Sequence, residues 1–280
     1  GRYRTFKPVT YYPLWVGGTQ VTSENAANIT GEETATASYD ANTNTLTLNG
    51  YRGSDIYMET SLNILLLGEN TIETDNNGIL CYFHAGTVSI SGTGSLDIIS
   101  AYESITTSGD SVTLTIGGSA TLNLMGAEEG ISLSADTVEL VIQDNATVII
   151  GTEEAPMEEE CIYVDGNITG SVTITDNASV TCVTNDEEGI YVGGATESIT
   201  ISGNAKVYVV GDKEALDANT ITISGGTVTA IGGVDYEGIF ADDLTITGGT
   251  VTIADSSANE TGAIRGGVEI GNWTTAGYGV

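Results

Sequence analysis

Six glutamates recur through this chain at intervals of 23 to 31 residues: Glu103, Glu129, Glu160, Glu188, Glu214 and Glu237. Each lies two residues before an apolar residue that opens an alternating run. One residue past that apolar residue stand, in order, Thr106, Ser132, Tyr163, Tyr191, Asp217 and Phe240, and Arg265 holds the same place in a seventh unit that lacks the glutamate. If the intervals are turns of one repeating structure, the glutamates stack about 4.8 Å apart, the spacing of neighbouring strands. Two unit charges at that distance repel by about 0.9 kcal/mol in water, and several-fold more at the effective dielectric of a protein surface. A bound divalent cation relieves that repulsion, and calcium takes carboxylate and carbonyl oxygens. Splaying into salt-screened solvent relieves it as well. The candidate metal ligands are therefore Glu160, Glu188, Glu214 and Glu237. No Asp-x-Asp-x-Asp-Gly calcium loop accompanies them.

The second series suggests a different ligand. Tyr163 and Tyr191 in adjacent repeats, followed by Phe240, offer flat apolar surfaces on which sugar rings stack, and Glu160 and Glu188 beside them accept hydroxyl hydrogen bonds. These five residues form the candidate glycan-binding set. Stacking of the two tyrosines on each other, or coverage by the segment from Thr152 to Glu160, is the structural alternative. Paired acids such as Asp242-Asp243 are the raw material of a glycosidase. No residue is assigned a catalytic role. His84, the one histidine, is read as a loop residue with no Ser or Asp partner at a recognisable spacing.

Composition limits the partners. Seven Lys and Arg against 38 Asp and Glu give a net charge of −31, which repels nucleic-acid backbones and anionic headgroups and attracts cations. No apolar run approaches the length of a membrane span. Three cysteines, Cys81, Cys161 and Cys182, form neither a zinc pattern nor a paired disulfide framework. They read as small buried hydrophobes, with Cys161 replacing the glycine of a Gly-Ile pair.

The elements that must position these residues follow from the repeat. Leu46, Ile64, Val88, Val112, Val138, Val172, Ile199, Ile221, Leu244 and Val268 open similar units with a mean spacing of about 25 residues. Each unit holds three short stretches of period-2 alternation rich in Val, Ile and Thr, a strand pattern with no helical face. Three strands per turn describe an all-β chain folded as a right-handed parallel β-helix of about ten rungs, a rod on the order of 45 Å long. Ile90, Leu114, Ile142, Ile174, Ile201, Ile223 and Ile246 are expected in one inward column. Corner pairs such as Asp144-Asn145, Asp176-Asn177, Gly203-Asn204 and Gly117-Gly118 place Gly or Asn second, as a positive φ at that position requires. Residues 1–45 lack the repeat and are rich in aromatics, including Tyr11, Tyr12 and Trp15; they read as an N-terminal cap on repeats spanning 46–280.

The segment Leu14-Trp15-Val16-Gly17-Gly18-Thr19, with Asn44-Thr45-Leu46-Thr47-Leu48-Asn49-Gly50 and the later Gly-Gly-Thr-Val units, resembles repetitive surface proteins of Gram-positive gut anaerobes. At fold level the repeat is similar to the pectate-lyase-like right-handed β-helix superfamily, which contains lyases, glycosidases, adhesins and carbohydrate-binding modules. The first likeness implies a secreted or cell-surface protein whose export signal and anchor lie outside this chain. The second implies a polysaccharide-facing surface, by analogy alone. β-Helical pectin-degrading hydrolases resemble a pattern with Gly-His-Gly and Arg-x-Lys that is missing here, and Arg265 is the one basic residue placed to serve a lyase. The expectation is a non-enzymatic adhesin or glycan binder, with calcium as a candidate aid to binding and a pectin-type lyase or hydrolase and a structural stalk as the alternatives.

Overall fold

The computed structural model describes residues 8–255 and the backbone of the strand Ile264–Ile270. Tyr3, Phe6, Lys7 and Trp273 lie outside the described residues, as does the side chain of Arg265. Every regular element among the described residues is a strand, and the chain winds as a parallel β-solenoid. The first sheet begins with Thr45–Asn49, Leu62–Leu67 and Ala85–Gly92, paired in parallel, and runs through to Ile264–Ile270. A second sheet starts at Arg52–Gly53 and Glu69–Thr74. The third starts at Ile56–Met58 and Ile79–Tyr82. Among the described residues ten strands build the first sheet and nine each of the others, so the complete turns there fall short of the ten rungs expected. The final strand of the first sheet has no described successor in the other two.

The long element Ile105–Ile116 is the third strand of one turn continuing without a loop into the first strand of the next, and Ile131–Ile142 and Ile162–Ile174 repeat this. Branched residues alternate with Thr and Ser because one face of each sheet lines the core and the other meets water. Ile64, Ile90, Ile116, Ile142, Ile174, Ile201, Ile223 and Ile246 form one inward column, each fully buried or nearly so.

Leu114 is not in that column. It pairs with Val88 and Leu140 in the neighbouring inward column, and Ile116 takes its expected place. Val112-Thr113-Leu114-Thr115-Ile116 offers three inward residues, so alternation fixes the face but leaves the register open by two residues.

The corner also differs in detail. Positive φ falls on the first residue of the Asp-Asn pairs, 59° at Asp144 and 60° at Asp176, rather than on the asparagine. Gly118, at 66°, and Gly203, at 68°, complete that column. An aspartate is tolerated there because its carboxylate is used: Asp144 Oδ2 accepts from Gly118 N–H at 2.8 Å, and Asp176 Oδ2 from Asp144 N–H at 3.1 Å. The asparagines form a ladder of their own. Asn177 Nδ2 donates to Asn145 Oδ1, and Asn204 Nδ2 to Asn177 Oδ1, each at 3.1 Å.

At the N-terminal end two antiparallel strands lie on the first turn, Tyr11–Val16 against Ile56–Met58 and Ala37–Asp40 against Thr45–Asn49. They occupy edge groups that a bare solenoid end would leave open. Leu14, Val16, Val21, Ile29 and Ala37 continue the core there, while Trp15 points outward.

Candidate functional site

The third sheet places the two predicted series side by side. Register joins Thr106, Ser132, Tyr163, Tyr191, Asp217 and Phe240 in one column, with the backbone of Arg265 next in line, as the spacing predicts, although Thr106 and Ser132 are buried rather than exposed. The glutamates sit at the corner immediately before it. Their backbones stack there: Ser104 N–H donates to Glu129 O, Gly130 N–H to Glu160 O, Gly189 N–H to Glu214 O and Ala215 N–H to Glu237 O. The tight corner depends on small residues. A Cβ on Gly189 would lie 2.2 Å from Val209 Cγ1, and one on Gly130 would lie 2.2 Å from Ile150 Cγ2. Cys161 occupies the equivalent position, fully buried, with its thiol directed at Ile150 O. Cys81 and Cys182 are likewise buried free thiols.

Tyr163 and Tyr191 stack on each other, ring centroids 5.3 Å apart and planes 15° from parallel. Both are half-buried. The Tyr191 ring lies along its own strand over Gly193, where a Cβ would come within 2.9 Å of it. One face of each ring is thus used by the other. The remaining face of Tyr163 looks along the axis toward the small side chain of Ser132, and that of Tyr191 toward Asp217. The segment after Gly151 does not send Glu153 over this pair, since Tyr208 O–H on the second sheet donates to Glu153 Oε1 at 2.8 Å.

Among the described residues, three groups of acids bring carboxylate oxygens within 4.8 Å of one another: Glu103 with Glu128 and Glu129, Glu160 with Glu187 and Glu188, and Glu188 with Glu214 and Asp217. Of the four expected metal ligands, Glu160, Glu188 and Glu214 enter these groups. Glu187 and Asp217 join them, and Glu237 belongs to none of the three. Burial, reinforced by Glu188, Glu187 and Glu129, pushes Glu160 up to about 7 from an ordinary 4.5. Burial, with Glu214, Glu188 and Glu197 nearby, pushes Asp217 up to about 7 from 3.8. Glu129 and Glu188 are raised for the same first reason, removal from water.

One cation answers part of this charge. Lys213 pairs with Glu187, and its ammonium lies 4.0 Å from Glu188 Oε2. The Glu187 hydrogen bond raises the Lys213 pKa and holds the amine protonated. Hard oxygen donors at these separations suit calcium, with Glu188, Glu214 and Asp217 the set less occupied by the lysine. His84 does have an acidic partner, contrary to its reading as a solitary loop residue: Nδ1 lies 3.1 Å from Asp110 Oδ2 at the surface. The two are 26 residues apart, one turn of the solenoid.

No family model, curated protein or solved structure matches this chain. The parallel solenoid is consistent with the β-helix superfamily to which the repeat was likened, while the narrower likeness to surface proteins of gut anaerobes gains no support from those comparisons.

Proposed function

We propose that this chain is a non-enzymatic β-helix of the cell surface or secreted milieu, whose third sheet presents an acidic, partly aromatic face for adhesion through glycans. The observation that carries this reading is the linked carboxylate clusters of Glu160, Glu188 and Asp217 beside the outward edges of Tyr163 and Tyr191, whose rings stack on each other as the structural alternative expected. Apolar ring edges flanked by hydrogen-bond acceptors suit a pyranose, its C–H groups against the exposed rims of the rings and its hydroxyls on the carboxylates. Phe240 extends the same column by two rungs beyond Tyr191. Calcium assists in this reading by bridging Glu188, Glu214 and Asp217, with Glu160 and Glu187 as a second oxygen cluster. The hydrogen bond to Glu187 raises the Lys213 pKa, so within this acidic face the lysine serves as a counter-ion. The net charge of −31 disfavours nucleic acid, and among the described residues no helix is long and apolar enough to cross a membrane.

A glycan array run with and without EDTA tests this directly. Retention without turnover, weakened by EDTA and by Tyr191→Ala, is the expected result. Release of shortened products would replace the reading with an enzyme, and silence across the array would leave a structural stalk. Millimolar calcium should also raise the melting temperature by binding the native state, with a smaller rise in Glu188→Gln. A calcium titration with no thermal shift would remove the metal from the proposal and leave the tyrosines.

A further inference from the structure

The column that holds Tyr163 and Tyr191 continues past them at both ends. Toward the N-terminus it passes through Ser132, Thr106 and Leu80 to Tyr57. Trp15 is then added across the antiparallel pair, its ring 5.2 Å from that of Tyr57. Toward the other end it passes through Asp217 to Phe240. Tyr57 to Phe240 is seven inter-rung steps, roughly 34 Å at about 4.8 Å per step. Thr106 and Ser132, 9% and 8% exposed, make a low floor between the bulkier Leu80 and Tyr163.

At the Tyr57 end a hollow of about 430 Å³ opens beside the column, lined by Glu59, Tyr82, His84, Ser108 and Asp110 among others. Tyr82 is 61% exposed there, and Tyr57 O–H donates to Glu59 Oε1 at 2.7 Å. An aromatic platform with a hollow therefore lies at one end of the sheet face, and a stacked aromatic pair lies four rungs away. Between and beyond them the flank is acidic, through the Glu103, Glu160 and Glu188 groups.

We propose that this face is a single track for a linear polysaccharide bearing free amino groups, a glucosamine polymer laid along the solenoid axis. The inference rests on the glycan reading above and adds the orientation, length and charge of the ligand. The rung spacing is close to the length of one sugar residue, so an extended chain along the axis meets one corner glutamate per residue over several turns. Tyr57 with Trp15 at one end, the outward rims of Tyr163 and Tyr191, and Phe240 at the other end supply apolar contact to the C–H groups of the sugars. Ammonium groups meet the carboxylates as charge-assisted hydrogen bonds, and the same carboxylates reject polyuronates. The parallel rungs repeat the same column position turn after turn, which suits a polymer rather than a terminal sugar.

Isothermal titration with β-linked glucosamine dimer, hexamer and octamer, and with the N-acetylated hexamer as the neutral control, tests the proposal. Affinity is expected to rise at least ten-fold from dimer to octamer and to fall steeply with added salt. The octamer should exceed the N-acetylated hexamer at least ten-fold. Tyr57→Ala should weaken the octamer several-fold without changing the dimer, whereas Tyr191→Ala should weaken both. Equal affinity for dimer and octamer, with Tyr57→Ala silent, would overturn the track while leaving the glycan site at Tyr163 and Tyr191 standing. Preference for the N-acetylated hexamer, or for polygalacturonate with calcium, would overturn the amino-sugar assignment. If none of these sugars binds, both the track and the glycan reading fail.

Discussion

At Glu160 and Asp217 removal from water opposes ionisation, and the surrounding acids add to it: Glu188, Glu187 and Glu129 around the first, Glu214, Glu188, Glu197 and Glu237 around the second. Lys213 is the cation that acts on Glu160 from across this flank. Each native carboxyl holds its proton to about 7, whereas the unfolded chain releases it near 4.5 or 3.8. The folded state therefore binds more protons in that window, and stability falls as pH climbs through it. The melting temperature should be higher at pH 5 than at pH 8, and Glu160→Gln or Asp217→Asn should raise it at pH 8 and flatten the profile. Thermal denaturation showing a flat profile in the parent, or Glu160→Gln less stable than the parent at pH 8, would contradict this. A second residue is costly for the same reason, a polar group taken from water without compensation. Thr107, 2% exposed, faces inward between Cys81 and Leu133, and its buried Oγ1 has no hydrogen-bond partner. Thr107→Val keeps the shape and removes the stranded hydroxyl, so it should stabilise by about 1 kcal/mol in a denaturant titration. Destabilisation would mean that the hydroxyl is satisfied.

At the scale of the strand and corner, the sequence is legible where a residue's face decides its type and ambiguous where only its register does. Period-2 runs of Val, Ile and Thr identify strands, and the outward series from Thr106 to Phe240 aligns correctly because each begins at the same Glu-x-apolar corner. Leu114 slips by two because both registers bury it. The positive φ at Asp144 and Asp176 escapes the composition rule because a side-chain hydrogen bond to the preceding rung offsets the strain. Contacts between turns of unequal length are harder still, which is why the Asp110 partner of His84 and the entry of Asp217 into the acid cluster emerge only from the fold. The asparagine ladder gives a prediction at this scale. Asn177 bonds both neighbours, whereas Asn145 and Asn204 each bond one within the ladder. Asn177→Ala should therefore cost about 1–2 kcal/mol, and Asn145→Ala or Asn204→Ala about half of that. Equal costs for all three in equilibrium unfolding would show that the ladder's amide bonds add nothing to the corner.

For the whole molecule, stacking turns a local motif into a surface. One tyrosine on a strand is ordinary, but register carries its position from Tyr57 to Phe240 along one face, with acid clusters on the flank. Trp15 joins the N-terminal part of that face by antiparallel pairing outside the repeat, so the 25-residue period carries no sign of it. Hydroxyl-radical footprinting read by mass spectrometry tests the central claim, that this face is where a glycan binds. With a saturating glucosamine octamer, oxidation of Tyr163, Tyr191 and Phe240 should drop several-fold, while Tyr11 and Tyr102, 66% and 47% exposed and outside the column, stay as reactive as in the free protein. Unchanged oxidation of Tyr163 and Tyr191 in the presence of a bound glycan, or protection confined to Tyr11 and Tyr102, would place binding elsewhere and contradict the account.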